Sequence, residues 1–498
     1  MHSSLKYGLV VTGHKKATEA GLNILKKGGN AMDAAIAAAS TLAVAIPNMN
    51  GLGGDSIGLW YDAKKNKIIT INGSGKSPKK ATKKFFKSRG LKSIPRRGPL
   101  SISVPGVIHA WETSIKLYGR KKFKEVLNNS IKLAKNGLKI DNYLRTFLKG
   151  KVYNSLIKKN KNLSEVYGNG KKDQKISILK QKKLSKTLEI IAKYGANSFY
   201  KGSLSKKILK DINDQGSIIS AEDLKNHKTL IQKPISTTFL NKKIYTAPPN
   251  SQGLALLIMC NLFKSNNKSK NINVNEFYNN KKLAYKFRDK FCIDPSDSKL
   301  TKKILNKKNL KIINRYKKNV SGDTSTLVVV DKDGNAVSWV QSLFEEFGSG
   351  IMSPSTGVVM HNRLYLEKIV GDSRNLLKSN KRPFHTLSPA LVLDRNKCDL
   401  AIATPGDHGQ PQTLFQILFH VYKNNFSIQK AINQPRIRHD VGKTILVEKN
   451  FFKDFKNKKK FLIKTYKNQD RIFGGVTAIK RNSSNILLRG ADKRRNCY

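Results

Sequence analysis

Thr324 stands behind Ser321-Gly322-Asp323, at the end of a long Lys/Asn-rich segment, and opens an alternating run that becomes β-branched up to Val330. A hydroxyl is a candidate nucleophile once a base activates it, but on the residues alone a threonine opening a strand is the plainer reading. The run continues into Asp331-Lys332-Asp333-Gly334-Asn335, a turn signal, and then into a second strand from Ala336 to Leu343. With a three-residue turn and a left-handed Gly334, Asp331 faces Asn335 and Thr324 falls opposite Ser342. Two hydroxyls then share one face at the open end of a hairpin. A two-residue turn shifts the pairing by one residue.

Other chemistries fit less well. Gly73-Ser74-Gly75-Lys76-Ser77 imitates the end of a phosphate-binding loop, yet Thr70 stands where that loop needs glycine and Pro78 where it needs a helix. No G-x-S-x-G elbow is present. The nine histidines show no ligand spacing and the four cysteines, Cys260, Cys292, Cys398 and Cys497, form no CxxC pair, so neither a metal nor another cofactor is expected. The 95 Lys+Arg against 33 Asp+Glu give a net charge of +62, which raises nucleic acid and anionic membranes as partners. The lysines are spread through nearly every polar segment, as at Lys79-Lys80, Lys182-Lys183 and Lys458 to Lys460, with no nucleic-acid-binding motif. Weak, salt-sensitive adhesion to polyanions is expected, not a specific nucleic-acid or membrane role. With no secretory signal and no bilayer-length apolar run, the expectation is a cytoplasmic protein.

The elements that must position Thr324 are legible in outline. Helical spacing over 17–28 stops at Gly28-Gly29, and Asn30 with Asp33 caps an Ala-rich core helix that Pro47 ends. The loop Gly51-Leu52-Gly53-Gly54-Asp55 precedes a hairpin of Ile57 to Tyr61 and Lys67 to Ile71. Residues 108–215 read as mainly helical, 244–247 as a strand, 254–263 as an apolar helix, and 264–282 and 296–320 as flexible. Further strands are predicted at 357–360, 390–393 and 400–403, a helix at 411–424, and a last hairpin over about 473–489. Helical blocks alternating with antiparallel turns point to layered sheets covered by helices, an α/β class.

Matching blocks then run almost end to end: Ala17 to Asp55, Ser103-Val104-Pro105-Gly106 with Trp111-Glu112, Pro248 to Leu256, Leu283 to Pro295, Gly322 to Gly350, Lys381 to Pro389 (KRPFHTLSP) and Thr404-Pro405-Gly406. In that order they resemble the gamma-glutamyltransferase family of N-terminal-nucleophile hydrolases. The resemblance implies a four-layer αββα sandwich, built jointly by a large segment 1–323 and a small segment 324–498 that stay associated as a heterodimer after the precursor cuts itself between Asp323 and Thr324. It also implies that Thr324 is the nucleophile, with its new α-amine as base, and that Ser342 is the supporting hydroxyl. Gly406 and the following residue would then supply the oxyanion hole. The second glycine of that pair is Asp407 here.

Departures from the family pattern concern the substrate. Ser74 stands where the family has the arginine for the glutamyl α-carboxylate, the acid for the α-amine falls near Leu366, the paired serines become His385 and Thr386, and an asparagine becomes Phe344. The blocks Phe347 to Gly350, Arg382 to Pro389 and Gly409 to Gln412 resemble the oxamate amidohydrolase-like branch. The expectation is hydrolysis of a small anionic amide, with Arg363, His385 and Thr386 as carboxylate contacts. Glutathione-type gamma-glutamyl amides are the alternative, and an inactive, basic, polyanion-binding relative the remaining one.

Overall fold

In the computed structural model, which describes residues 6–150, 153–168, 178–263, 270–297, 305, 324–370, 376–453 and 460–498, the central hairpin takes the three-residue turn. Gly334 adopts φ +84° and the Asp331 N–H donates to the Asn335 carbonyl at 3.0 Å. The strands Ser325–Asp331 and Ala336–Ser342 accordingly pair with Gln341 opposite Ser325, which carries Thr324 opposite Ser342.

This hairpin is the middle of a six-stranded sheet. Gly8–Thr12 flanks it on one side; Asp55–Asp62, Lys67–Asn72 and Leu230–Gln232 follow on the other. A second six-stranded sheet runs Leu487–Ala491, Thr477–Arg481, Lys397–Ala403, Ala390–Asp394, Lys242–Thr246, Ile235–Phe239. Alternation assigns the faces. Val328, Val330, Ala336, Val340, Ile57 and Leu59 from the first sheet meet Leu391, Ala401, Ala403 and Ile479 from the second in one dry layer. The opposite face of the first sheet, with Leu327, Val329 and Trp339, packs on Lys15–Lys26, the wholly buried Ala31–Ala45 and Val107–Tyr118. The outer face of the second, with Val392, Leu400 and Ile402, packs on Gly253–Leu262, Val274–Phe291 and Gln410–Tyr422. Helix, sheet, sheet, helix is the four-layer αββα arrangement. Both sheets contain strands from before and after Thr324. Among the described residues no helix is long and apolar enough to cross a membrane.

Several expectations need correction. Residues 357–360 form only isolated bridges, Gly53 with Met360 and Met352 with Val359, because a two-residue partnership at a loop crossing gives no ladder. The stretch 264–282, expected to be flexible, contains the first half of the helix Val274–Phe291, capped by the Asn273 side chain on the Glu276 N–H at 3.1 Å and anchored by Phe277, Tyr278 and Tyr285. Asp323, and all of 296–320 except 296, 297 and 305, lie outside the described residues. The strand Gly8–Thr12, seen in sequence only as a short apolar run, is the hairpin's neighbour.

Asp331 ties these layers together. Its carboxylate accepts from Asp333 N, Asn335 N and Asn335 Nδ2 in the turn, and from Ala31 N at the start of the core helix, all at 2.9–3.0 Å. One buried anion thus closes the hairpin and caps a helix 300 residues away. Asp331→Ala is expected to destabilise the protein by about 3 kcal/mol, since charge-assisted bonds are lost and N–H groups are stranded; the urea midpoint of the unprocessed Thr324→Ala background reads it.

Candidate active site

On the hairpin, even-numbered residues face the second sheet, so Thr324 and Ser342 project into the inter-sheet layer at its open edge. Both are buried, and Thr324 Oγ1 lies 3.5 Å from Ser342 Oγ. Ser342 Oγ accepts the Phe344 N–H at 2.6 Å, which fixes its rotamer, and Phe344 takes φ +76° as the chain leaves the strand. On Ser342's other side the register places Asp55. Thr324, Ser342 and Asp55 therefore stand side by side on three adjacent strands.

Asp55 is the hub that sequence reading left as the end of a glycine loop. Its carboxylate, fully buried, lies 3.0 Å from His385 Nε2, 3.4 Å from His361 Nδ1 and 3.5 Å from Arg363 Nε, and accepts the Gly75 N–H at 3.2 Å. Burial acts to raise its pKa; His361, His385 and Arg363 together more than offset that, holding the carboxyl well below the usual range. His385 is pushed down to about 4 by burial and then by Arg363, so it is a neutral imidazole with Nε2–H toward Asp55. That hydrogen bond engages its only N–H, and its remaining nitrogen faces the Leu387 N–H at 3.5 Å. Sequence reading placed His385 as a carboxylate contact; the geometry instead sets it against Asp55. His361 gives Nε2–H to the Ser103 carbonyl at 2.9 Å and takes the Arg363 N–H at Nδ1.

Arg363 is buried, with its guanidinium 4.4 Å from the Phe344 ring centroid and Nη1 donating to Thr386 Oγ1 at 3.1 Å. Its Nε faces the Asp55 carboxylate, Nη2 has no hydrogen-bond partner among the described residues, and burial lowers its pKa to about 10. Ser74, in contrast, is engaged with its neighbours. It donates to Asn72 Oδ1 at 2.6 Å and accepts from Asn250 Nδ2 at 3.1 Å. Leu366 ends the short turn Arg363–Leu366; the adjacent acid, Glu367, accepts the Phe384 N–H at 3.0 Å.

Across the layer, the strand Lys397–Ala403 ends in Thr404-Pro405-Gly406-Asp407 and leads into the helix Gln410–Tyr422. Gly406 takes φ +121° and Asp407 φ +54°. Gln252, a residue that sequence reading did not single out, clamps this loop to the Arg382-Pro389 segment by donating to the Asp407 and Thr386 carbonyls, both at 2.7 Å. Gln252 is in turn held by Arg288 Nη1 at 3.1 Å. The Asp407 carboxylate is buried, and neither oxygen has a hydrogen-bond partner among the described residues. Burial pushes its pKa up to about 6 against the pull of Arg438, the adjacent His408 backbone N–H, Arg363 and Arg288. Among the described residues no group of His, Cys, Asp and Glu is arranged to hold a metal ion.

An aspartate whose native pKa exceeds its unfolded value of 3.8 keeps its proton in the folded state through roughly pH 4 to 6, so stability falls as pH rises across that window. Asp407→Asn is therefore expected to stabilise the unprocessed Thr324→Ala protein by about 2–3 kcal/mol at pH 7 and by almost nothing near pH 3.5; urea titrations at the two pH values check this.

The comparisons agree with this architecture. A model of the family described as Gamma-glutamyltranspeptidase matches residues 17–497. The "Glutathione hydrolase-like YwrD proenzyme" of Bacillus subtilis is 32% identical, over 98% of this chain and 97% of the relative. The "Oxamate amidohydrolase proenzyme" of Klebsiella pneumoniae is 29% identical over 88% of this chain and 86% of its own length. The crystal structure of cephalosporin acylase from Bacillus halodurans superposes with a TM-score of 0.91 at 28% identity, covering 99% of this chain and 95% of that one. With the family matched almost end to end and the layered sheets in place, the chain belongs to the gamma-glutamyltranspeptidase family of N-terminal-nucleophile hydrolases and is an enzyme of that class.

Proposed function

We propose that this enzyme is a self-processing amidohydrolase that cleaves a small amide with a carboxylate on its acyl side, an oxamate-like compound, through an ester on Thr324. The observation that carries the substrate class is Arg363, a buried guanidinium over the Phe344 ring and 3.5 Å from the Asp55 carboxylate that neighbours Ser342, whose Nη2 has no hydrogen-bond partner among the described residues, because a buried cationic donor of this kind is matched by a carboxylate. The oxamate amidohydrolase among the relatives supports the same class.

In this reading Thr324 Oγ1 attacks the Asp323 carbonyl, the peptide becomes an ester, and water releases segments 1–323 and 324–498. The interleaved strands keep the two as a heterodimer. The new α-amine, with an ordinary pKa near ~7.7, takes the Oγ1 proton as that oxygen attacks the substrate carbonyl. Backbone N–H groups of Gly406 and Asp407 hold the oxyanion, Ser342 steadies Oγ1, and Thr386 braces Arg363. Ammonia leaves with the transferred proton; water then cleaves the ester and frees the acid. The four cysteines are free thiols, which supports a reducing, cytoplasmic setting.

One observation favours gamma-glutamyl amides as a second reading. Asp407 carries a buried carboxylate within electrostatic range of Arg363, so that Arg363 and Asp407 together match an α-carboxylate and an α-ammonium.

Purified protein is expected to run as fragments of about 36 and about 20 kDa from the 55.8 kDa chain, and Thr324→Ala as one band. Processed enzyme is expected to hydrolyse oxamate faster than gamma-glutamyl anilides, the reverse order supporting the second reading. Arg363→Gln is expected to lose about 10- to 100-fold in kcat/KM, chiefly through KM.

A further inference from the structure

Behind Ser74 lies a chamber of about 370 Å³, lined by Lys76, Ser77, Asn226, His227, Lys228 and Arg382 together with Lys79, Glu222 and Asp223. Its volume is within the range of small-molecule sites. Its charges do not balance. Asp223 caps the turn Ala221–Lys225 by accepting the Ser220 N–H and hydroxyl at 2.8 Å, and it also takes the Lys79 N–H at 2.8 Å. Glu222 lies 3.6 Å from the Lys79 ammonium. The nearby Asp294 accepts the N–H groups of Arg382 and Ser296 and the Ser296 hydroxyl, at 2.6–2.8 Å.

The lining thus sets four cations, Lys76, Lys79, Lys228 and Arg382, against two carboxylates, with Asp294 acting on Lys76 and Arg382 from outside the lining, and the net charge of the wall stays positive. Lys76 and Lys228 have no carboxylate within ion-pair distance among the described residues, and Arg382 directs Nε to the Ser74 carbonyl at 2.9 Å and Nη2 to the Lys228 carbonyl at 2.7 Å, both neutral acceptors. The Lys76 ammonium is pushed below its ordinary value by burial and then by Arg382. The wall is completed by His227, 6% exposed, stacked on Tyr200 at 5.2 Å between centroids and edge-on to His109 at 5.4 Å, with both ring nitrogens unpartnered. Burial first, and then His109, Arg382 and Lys76, hold it neutral, and with both nitrogens sealed from solvent it serves the chamber as wall.

We propose that this chamber is a binding site for a small, multiply charged oxyanion, phosphate or a short polycarboxylate, held by Lys76, Lys228 and Arg382. Like charges gathered in one concavity repel, and an anion removes that repulsion while meeting the free donors. The chamber lies apart from Thr324 but is joined to the candidate site through the Ser74-Gly75-Lys76 segment, where the Gly75 N–H binds Asp55. Arg382 faces the chamber and holds the carbonyl of Ser74, whose hydroxyl contacts Asn72 and Asn250 in the pocket wall. An occupant that fixes Arg382 therefore fixes that wall.

With a net charge of +62 the chain attracts anions everywhere, so the test must separate a site from an atmosphere. Isothermal titration of the full-length protein with inorganic phosphate, and separately with citrate, at ionic strength held constant with chloride, is expected to show one saturable site per chain for at least one probe. Whichever probe binds more tightly tells phosphate from polycarboxylate. Lys76→Met with Lys228→Met is expected to weaken that binding at least tenfold, whereas Lys206→Met with Lys207→Met, an equal charge loss on the exposed face of Ser203–Asn213, leaves it unchanged. No saturable heat from either probe, or equal weakening by both double variants, overturns the site.

Discussion

The register of a single hairpin governs the whole site. Side chains on a strand alternate between faces, so a slip of one residue between Ser325–Asp331 and Ala336–Ser342 would turn Thr324 away from the inter-sheet layer and put Leu327 and Val329 where Val328 and Val330 now pack. Two features pin it. The three-residue turn with Gly334 at φ +84° sets the count, and the Asp331 carboxylate locks that turn to the core helix Ala31–Ala45. Packing above and below then makes the register hard to change, because the two faces bury different sets of residues. Thr324 and Ser342 are thereby held by strands that are buried on both faces.

The same register puts Asp55 beside Ser342, and this determines the electrostatics. A carboxylate so deeply buried survives only if it is paired, and His385, Arg363 and the Gly75 N–H supply that pairing. In return Asp55 orders them. It takes the N–H of His385 and restrains Arg363 from one side while Thr386 and the Phe344 ring hold it from others. The guanidinium is then immobile before any ligand arrives, so the entropy of ordering it is not charged to binding.

Sequence reading reached the layers and the hairpin because both are written locally, in alternation, capping and turn residues. Thr324 opposite Ser342 followed on one of the two turn lengths that Asp331 to Asn335 allow, and the structure takes that one. The expectation of a strand at 357–360 failed because β-branched content does not supply a partner, and the helix from Val274 was hidden because a charged Lys/Asn-rich stretch looks alike whether solvated or amphipathic. Asp55 was quoted but read as loop, since nothing local reveals that His361 and His385, over 300 residues away, converge on it. His385 was identified and given the wrong neighbour for the same reason.

Asp407 shows what it costs the fold to bury a charge in this loop. A non-glycine residue at φ +54° costs roughly 1 kcal/mol, and its carboxylate is buried without a hydrogen bond. Nearby guanidinium groups of Arg438, Arg363 and Arg288 limit that penalty without removing it. Arg363 has the complementary deficit, with Nη2 unmet among the described residues. Each could be relieved by moving toward the other, yet Asp55, Thr386 and Phe344 hold Arg363 in place, and Gln252 holds the Asp407 carbonyl. The fold thus keeps a cation and an anion apart at some expense in stability. Burial makes each of these charges cost more than it would at the surface, and the hydrogen bonds around them set how far either can move to lower that cost.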